Sequence, residues 1–345
     1  MRTSLTVLTP RRPLSSLPFG WYVVAASEAL RAGSLLRVRL AGHELVAWRS
    51  ESGVASVSDG YCPHLGASFA SGGCVRGEHL WCPFHGFEFD ATGACVKTGY
   101  GTKPPPAARL PTLPVVERHG VVHAWFHPEG EAPSFELPTL DEAGWTPVRL
   151  AGFDLESHPQ ETSENSVDIG HLAVTHGYEN VELLGTRHEG PYLNTRFRFV
   201  RRDGIFGRLS RPITSTANVH VHGLGVSIVE VEVESLGIQT RQFVYSTPTD
   251  PGRVKLRIGM SMKIERPSTI HPAFALAPTP LVRRFASAAA FREFVADVRQ
   301  DFKIWNHKVY IPRPALADGD GPVGIYRRWA RQFTQSVESS DAAAE

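Results

Sequence analysis

Cys62-Pro63-His64-Leu65-Gly66 and Cys82-Pro83-Phe84-His85-Gly86-Phe87, with seventeen residues between His64 and Cys82, are the stretches from which the rest of the chain is read. Each offers one thiol and one imidazole. A zinc finger of the Cys₂His₂ type pairs its cysteines first and its histidines afterwards. Here the order interleaves, so each loop supplies one ligand of each kind. Two readings are open: a structural zinc site, or a [2Fe–2S] cluster with both cysteines on one iron and both histidines on the other. The interleaving suits a cluster that draws each ligand type from both loops. Gly66 and Gly86 let backbone N–H groups approach sulfur closely.

Around these loops the first half reads as short strands separated by Gly and Pro. Residues 21–25, 35–40, 43–48 and 54–57 are apolar or alternating runs, and 78–81 with 87–89 flank the second loop. Residues 115–118 and 121–126 form a closing hairpin around His119-Gly120. Residues 104–114 are proline-dense and extended, and 127–147, with four prolines and two glycines, mark a boundary. The other two cysteines, Cys74 and Cys95, lie outside the loops and read as small buried hydrophobes.

The 345 residues suffice for two cores, and 36 Lys+Arg against 35 Asp+Glu leave a formal charge of +1. No concentrated basic patch suggests a nucleic-acid partner. No run resembles a signal peptide or a membrane span, so a cytoplasmic location is expected.

The second half opens with a helical segment over 161–176, carrying Asn165, Asp168, His171 and His176. On an ideal helix a five-residue step leaves two side chains about 140° apart. His171 and His176 can therefore share a metal only where the helix is distorted or ending, and Gly170 and Gly177 supply the opportunity. Two histidines and one carboxylate form the facial set of non-haem Fe(II) oxygenases. Long strands follow over 219–234, 238–246 and 254–264. In the first of these, Val229, Val231 and Val233 alternate with Glu230, Glu232 and Glu234, which gives a sheet with one dry face. A terminal helix over 291–309 carries Glu293, Asp297 and Asp301. On its helical wheel Asp301 lies about 20° from the apolar arc, Asp297 about 60° out and Glu293 nearly opposite, so Asp301 is the candidate third ligand. The apolar stretch 272–290 before it reads either as a lid that touches a membrane surface through Arg283 and Arg284 or as a packed connector.

The two loops, continued by Phe89-Asp90-Ala91-Thr92-Gly93, resemble the Rieske family, specifically its oxygenase branch, over residues 18–127. The set Asn165, Asp168, His171 and His176 is similar to that branch's catalytic motif at every spacing. Asp301-Phe302-Lys303-Ile304-Trp305, Asp320-Gly321-Pro322 and Arg327-Arg328-Trp329 resemble the C-terminus of 3-ketosteroid 9α-hydroxylase and, more distantly, the cholesterol 7-desaturases. The resemblance implies an α+β chain. An all-β Rieske domain (18–127) and a linker (128–147) would precede a helix-grip, START-like catalytic domain (148–335) with a curved antiparallel sheet and a long terminal helix, then a disordered tail (336–345). It implies a [2Fe–2S] cluster on Cys62, His64, Cys82 and His85, and Fe(II) on His171, His176 and Asp301. Asp168 would bridge His85 of one subunit to His171 of the next in a homotrimer, with Asn165 beside it in the catalytic motif. It also implies a terminal monooxygenase component that takes electrons from a ferredoxin or a flavin/iron–sulfur reductase. With O₂ it would oxidise a C–H bond of a hydrophobic, sterol- or steroid-like substrate by hydroxylation, desaturation or oxidative demethylation. Oxidative cyclisation or hydroxylation in natural-product biosynthesis is the alternative. A pure electron carrier and a non-catalytic lipid-binding module are the rivals from other classes.

Overall fold

The computed structural model describes residue 14 and residues 17–202, 212–265 and 278–334. Its first part contains β1 (Gly20–Ala26), β2 (Leu35–Leu40), β3 (His43–Arg49), β4 (Ala55–Asp59), β5 (Cys74–Arg76), β6 (His79–Trp81), β7 (Glu88–Phe89), β8 (Cys95–Lys97), β9 (Thr112–Leu113), β10 (Val115–Arg118) and β11 (Val121–Phe126). These pair into three antiparallel sheets, β1-β11-β10, β2-β3-β4-β9 and β5-β6-β7-β8. The expected closing hairpin is β10–β11, in register from Arg118↔Val121. His119 and Gly120 both have positive φ, 54° and 75°, as a two-residue turn matched to strand twist requires.

The second part runs β12 (Arg149–Leu155), α1 (Pro159–Glu164), α2 (Gly170–Val174), β13 (Glu179–Glu189), β14 (Tyr192–Arg201), β15 (Ile213–His222), β16 (Val226–Val233), β17 (Ile238–Asp250), β18 (Arg253–Ile264), α3 (Thr279–Trp305) and α4 (Val323–Ala330). Its strands form one seven-stranded antiparallel sheet, β12-β18-β17-β16-β15-β14-β13.

Three expectations change. The strand expected over 219–234 is two strands folded back at Gly223, whose φ of 62° turns the chain. The single helix over 161–176 is two short helices, α1 and α2, with a break between. The terminal helix begins twelve residues earlier than expected, at Thr279, and ends at Trp305 rather than 309. Ala286 and Ala288–Ala290 favour helix, and Pro280 in the first turn needs no intrahelical N–H partner. Residues 279–290, within the stretch read as a lid or a connector, are therefore helical; residues 266–277 and the tail from 335 lie outside the described residues. Among the described residues no helix is long and apolar enough to cross a membrane.

Alternation along the strands sorts the large sheet into two faces. On the inner face Leu256, Ile258 and Met260 pack against Phe294 and Trp305 of α3, and Val219 and Phe199 pack in a cluster with Tyr326 and Trp329 of α4. Full burial of each such side chain contributes roughly 1.5–3 kcal/mol. The two helices hold this face without filling it. On the outer face Ile228, Phe243 and Tyr245 meet Trp21, Val23 and Trp125 of the first sheet. Arg257 of β18 crosses that contact and donates to the carbonyls of Val23 and Val24 at 2.7 and 3.0 Å. The partners lie where β1 bulges, a place where the strand ladder leaves carbonyls to be satisfied from outside.

Candidate metal centres and the cavity between them and the sheet

The two cysteine loops have the same backbone wiring. Cys62 N–H donates to the Ala67 carbonyl and Gly66 N–H to the Cys62 carbonyl; Cys82 N–H donates to the Phe87 carbonyl and Gly86 N–H to the Cys82 carbonyl, all within 2.8–3.1 Å. Gly66 and Gly86 have φ of 74° and 67°, a region that side chains other than glycine rarely adopt. A side chain at Gly99 would put its Cβ 2.1 Å from the His85 carbonyl oxygen, so that segment can lie against the second loop because it has none. Cys62 and Cys82 are buried. The His64 and His85 rings sit edge to face at 4.8 Å, and His64 stacks on Phe87 at 4.3 Å.

The two buried thiols thus neighbour each other, and so do the two imidazoles. They suit an iron–sulfur cluster on chemical grounds. Burial, with Cys82 alongside, pushes the Cys62 thiol up to about 12, so a cationic centre is needed to hold the thiolate. His85 Nδ1 is buried with no hydrogen-bond partner, whereas buried polar atoms are rarely left unsatisfied; a metal bond would satisfy it. All four cysteines are unpaired. Cys74 and Cys95 are half-buried opposite Trp81 and Phe89 in the strands beside the loops.

The second centre is built from three pieces. His171 lies in α2, His176 just past its end, and Asp301 near the C-terminal end of α3. Their ligand atoms fall within 4.8 Å of one another, and no other group of three or more such residues among those described does so. α2 ends at Val174, between the two histidines, and the left-handed Gly177 (φ 67°) follows His176; the rings lie 5.2 Å apart. His176 Nε2 is 3.5 Å from Asp301 Oδ2, while His176 Nδ1 is buried without a partner. Asp301, 6% exposed, is a carboxylate in a setting that rarely tolerates one unless it is paired or bound to metal. The donor set fits an Fe(II) facial triad.

Asp168 sits beside this triad. Its Oδ1 accepts from the His171 backbone N–H at 3.2 Å and is 3.6 Å from His171 Nδ1, and the same ring nitrogen contacts the Asp168 carbonyl oxygen. Burial would raise the Asp168 carboxyl, but the His171 contacts outweigh it and hold the group below its ordinary value. Asn165 Oδ1 accepts from Trp305 Nε1 at 3.4 Å, tying the motif to the end of α3.

The sequence reading missed the ionic layer beneath the motif. Glu164 accepts from Arg327 at 2.6 and 3.0 Å, and Lys308 Nζ lies 2.7 Å from Glu161 and 3.5 Å from Glu164. Both glutamates are buried. Removing one partner of a buried pair costs about 3–5 kcal/mol, so this layer locks α1 to α4 and to the segment just past α3. Two acids three apart just before Asn165 were the available signal.

A cavity of about 250 Å³ opens between the inner sheet face and α3, with all three triad residues in its wall. That is near the lower end of the roughly 300–1,000 Å³ of small-molecule sites. Its lining is mostly apolar, from strands β14–β18 and α3. Glu293 and Asp297 line it along with Asp301, which corrects the wheel-based expectation that Asp301 alone faces inward. Residues four apart form a row along a helix, and this row follows the edge of the packed stripe. Asp297 is engaged by Arg201 at 2.9 Å and by the Tyr178 hydroxyl at 3.3 Å; Asp301 reaches His176 instead.

Comparison with known proteins agrees with this layout. Residues 20–114 match the Rieske [2Fe-2S] domain, and residues 124–334 match the 3-ketosteroid 9α-hydroxylase C-terminal domain. The chain is 30% identical to cholesterol 7-desaturase of Caenorhabditis elegans, covering 92% of this chain and 76% of that protein. It is 28% identical to the 3-ketosteroid-9-alpha-monooxygenase oxygenase component of Rhodococcus rhodochrous, covering 92% and 83%. Apo dicamba monooxygenase shares the fold at a TM-score of 0.67 and 18% identity, over 92% of this chain and 97% of that one. Since the second of these domains alone takes in more than half of the chain, the protein belongs to the Rieske iron oxygenases of the 3-ketosteroid 9α-hydroxylase type, oxidoreductases that carry a [2Fe–2S] cluster and Fe(II).

Proposed function

We propose that this chain is the terminal component of a multicomponent monooxygenase acting on a C–H bond of a sterol- or steroid-like substrate. In this reading Cys62, His64, Cys82 and His85 hold the cluster, and His171, His176 and Asp301 hold the Fe(II). When bound, the cluster delivers single electrons and the Fe(II) supplies the O₂ chemistry. The chain's own tasks are to bind, orient and exclude water. Residues 18–127 serve as the electron-carrying domain and 148–335 as the catalytic one, joined through 128–147. The observation that carries the reading is the triad in the wall of a mostly apolar cavity. A pure electron carrier has no use for such a cavity, and a lipid-binding module has no use for a buried carboxylate against two histidines.

Asp168 is the positioning residue of the reading. A carboxylate that accepts from an imidazole fixes the ring's orientation and raises its basicity; Asp168 accepts from the His171 backbone N–H and lies 3.6 Å from the His171 ring nitrogen, close to that role. A second imidazole, His85 of a neighbouring copy in a head-to-tail trimer, would complete the bridge. Exposed Leu65, Phe84 and Tyr100 around the cluster loops support burial of that tip against a partner. Electrons come from a ferredoxin or a flavin/iron–sulfur reductase. Four unpaired cysteines support a reducing, cytoplasmic setting. At the start of α3, exposed Leu281 and Phe285 beside Arg283 and Arg284 favour a brief membrane contact for collecting an apolar substrate.

The test is iron and acid-labile sulfide per chain after anaerobic purification, with the electron paramagnetic resonance spectrum of the dithionite-reduced protein. About three irons and two sulfides, a Rieske signal, and oxygen-dependent turnover of a sterol with a reductase support the reading. Zinc without sulfide removes it.

A further inference from the structure

The cavity has one cationic group among the described residues that line it, Arg201, and its position is built rather than incidental. Arg201 ends β14, and its Nη2 lies 2.9 Å from Asp297 Oδ2 on α3. The Tyr178 hydroxyl donates to the same oxygen at 3.3 Å. The guanidinium carbon stands 5.1 Å from the Tyr178 ring centroid, and that ring is stacked on Phe199 at 4.6 Å, which fixes its plane. Burial works against the charge on Arg201, but Tyr178, Asp297 and Glu293 more than offset it. The group is therefore a permanent cation with one nitrogen committed to Asp297, and a guanidinium has five N–H donors in all.

Tyr178 also adjoins the metal triad, its ring centroid 5.6 Å from that of His176. Laid end to end, the two ring distances put the guanidinium within about 11 Å of the His176 ring. A charged donor thus sits one aromatic ring away from the triad, in a cavity whose wall is mostly apolar and whose uncharged polar groups include Ser, Thr, Asn, Gln and Tyr side chains. Glu293, Asp297 and Asp301 place three carboxylates in the same wall, which disfavours an anionic guest and leaves a neutral acceptor as the suitable one.

We propose that Arg201, held by Asp297 beside Tyr178, is the polar subsite of this cavity. It takes a neutral oxygen acceptor, a carbonyl or hydroxyl, on an otherwise apolar substrate, and so sets which carbon faces the triad. The proposal rests on reading the cavity as the substrate site. It departs from a purely hydrophobic cavity by requiring a substrate polar at one end.

Equilibrium dialysis of the full metal-loaded chain tests it with three probes of one skeleton: trans-decalin, trans-2-decalone and trans-decalin-2-carboxylate. Arg201→Met is expected to lower ketone affinity roughly tenfold, as loss of a hydrogen bond from a charged donor does, and to leave the hydrocarbon within about twofold. The carboxylate is expected to bind more weakly than the ketone throughout. Equal losses for ketone and hydrocarbon would make the ion pair a strut between β14 and α3 and overturn the proposal. So would an unchanged ketone affinity, or a carboxylate that binds tightest. Arg201→Lys keeps a cation for Asp297 and guards against misfolding; it should weaken the ketone selectively, by a smaller factor. Iron and sulfide measured on the same samples keep the two readings apart. A chain without the mononuclear iron that still shows the ketone-selective loss sinks the oxygenase reading and leaves the subsite standing.

Discussion

The cluster loops and the triad do similar work by different construction. Each loop closes on itself through two backbone hydrogen bonds and one left-handed glycine, so its geometry is written within a handful of consecutive residues. The triad has no such local frame. His171 and His176 are aimed by a broken helix, and Asp301 arrives on a helix of 27 residues, about 40 Å long at 1.5 Å per residue. That helix is held by Phe294 and Trp305 against β18 and by Trp305 Nε1 against Asn165. A site made locally tolerates change elsewhere; a site made by packing inherits every shift of the elements that carry it.

Asp301→Ala should separate the two most sharply. Loss of a ligand is expected to exceed the 10–100-fold cost of losing a supporting partner, so mononuclear iron and turnover should vanish while sulfide and the Rieske signal stay. Iron falling from about three to about two per chain with sulfide unchanged is the measurement. Loss of both cofactors together would mean that the two regions are not independent.

Asp168→Asn tests the connection rather than either end. Both metals should remain, and turnover driven by the reductase should fall by roughly 10–100-fold. Reduction of the cluster by dithionite should be unaffected. Unchanged steady-state turnover would remove Asp168 from the proposed bridge.

The smallest effect concerns the contact between the regions. His119 and His123 on the β10–β11 hairpin face Phe243 and Tyr245 of the large sheet. Burial lowers them from 6.5 to about 4 and about 3 respectively. Below pH 6.5 the unfolded chain takes up protons that the folded one refuses, so stability should fall as pH drops from there toward 4. The loss is on the order of a few kcal/mol by the usual conversion of about 1.4 kcal/mol per unit. Urea midpoints between pH 7 and 4 check this, with His123→Leu flattening the slope. Parallel curves for the two proteins would show that acid acts elsewhere.

Legibility followed the same division. The cluster loops could be read because the hydrogen bonds that close them lie within Cys62–Ala67 and Cys82–Phe87, and the closing hairpin because His119-Gly120 carries its own turn. A helix that ends between His171 and His176 is the condition the spacing sets for their meeting, and α2 does end there, at Val174; the earlier break after α1 carries no signal of that kind. The start of α3 was misread because an Ala- and Phe-containing run bounded by prolines looks like a connector until it has a sheet to lie on. The helical wheel does not separate Asp297 from Asp301, since both face the cavity; their partners do, Arg201 for Asp297 and His176 for Asp301. Nothing near Arg201 in the chain announces Tyr178 or Asp297 as its neighbours.

The sequence by itself determined the ligand types, the two cluster loops, the spacing of Asn165, Asp168, His171 and His176, and the alternation that makes a one-sided sheet. These depend on local chain geometry and on the chemistry of single side chains. The tertiary structure alone decided that α3 lies across the inner face, that Asp301 meets His176, and that Arg201 and Asp297 pair in the cavity wall. Such contacts join residues far apart in the chain, and they are chosen by which packing buries the apolar faces of sheet and helix together.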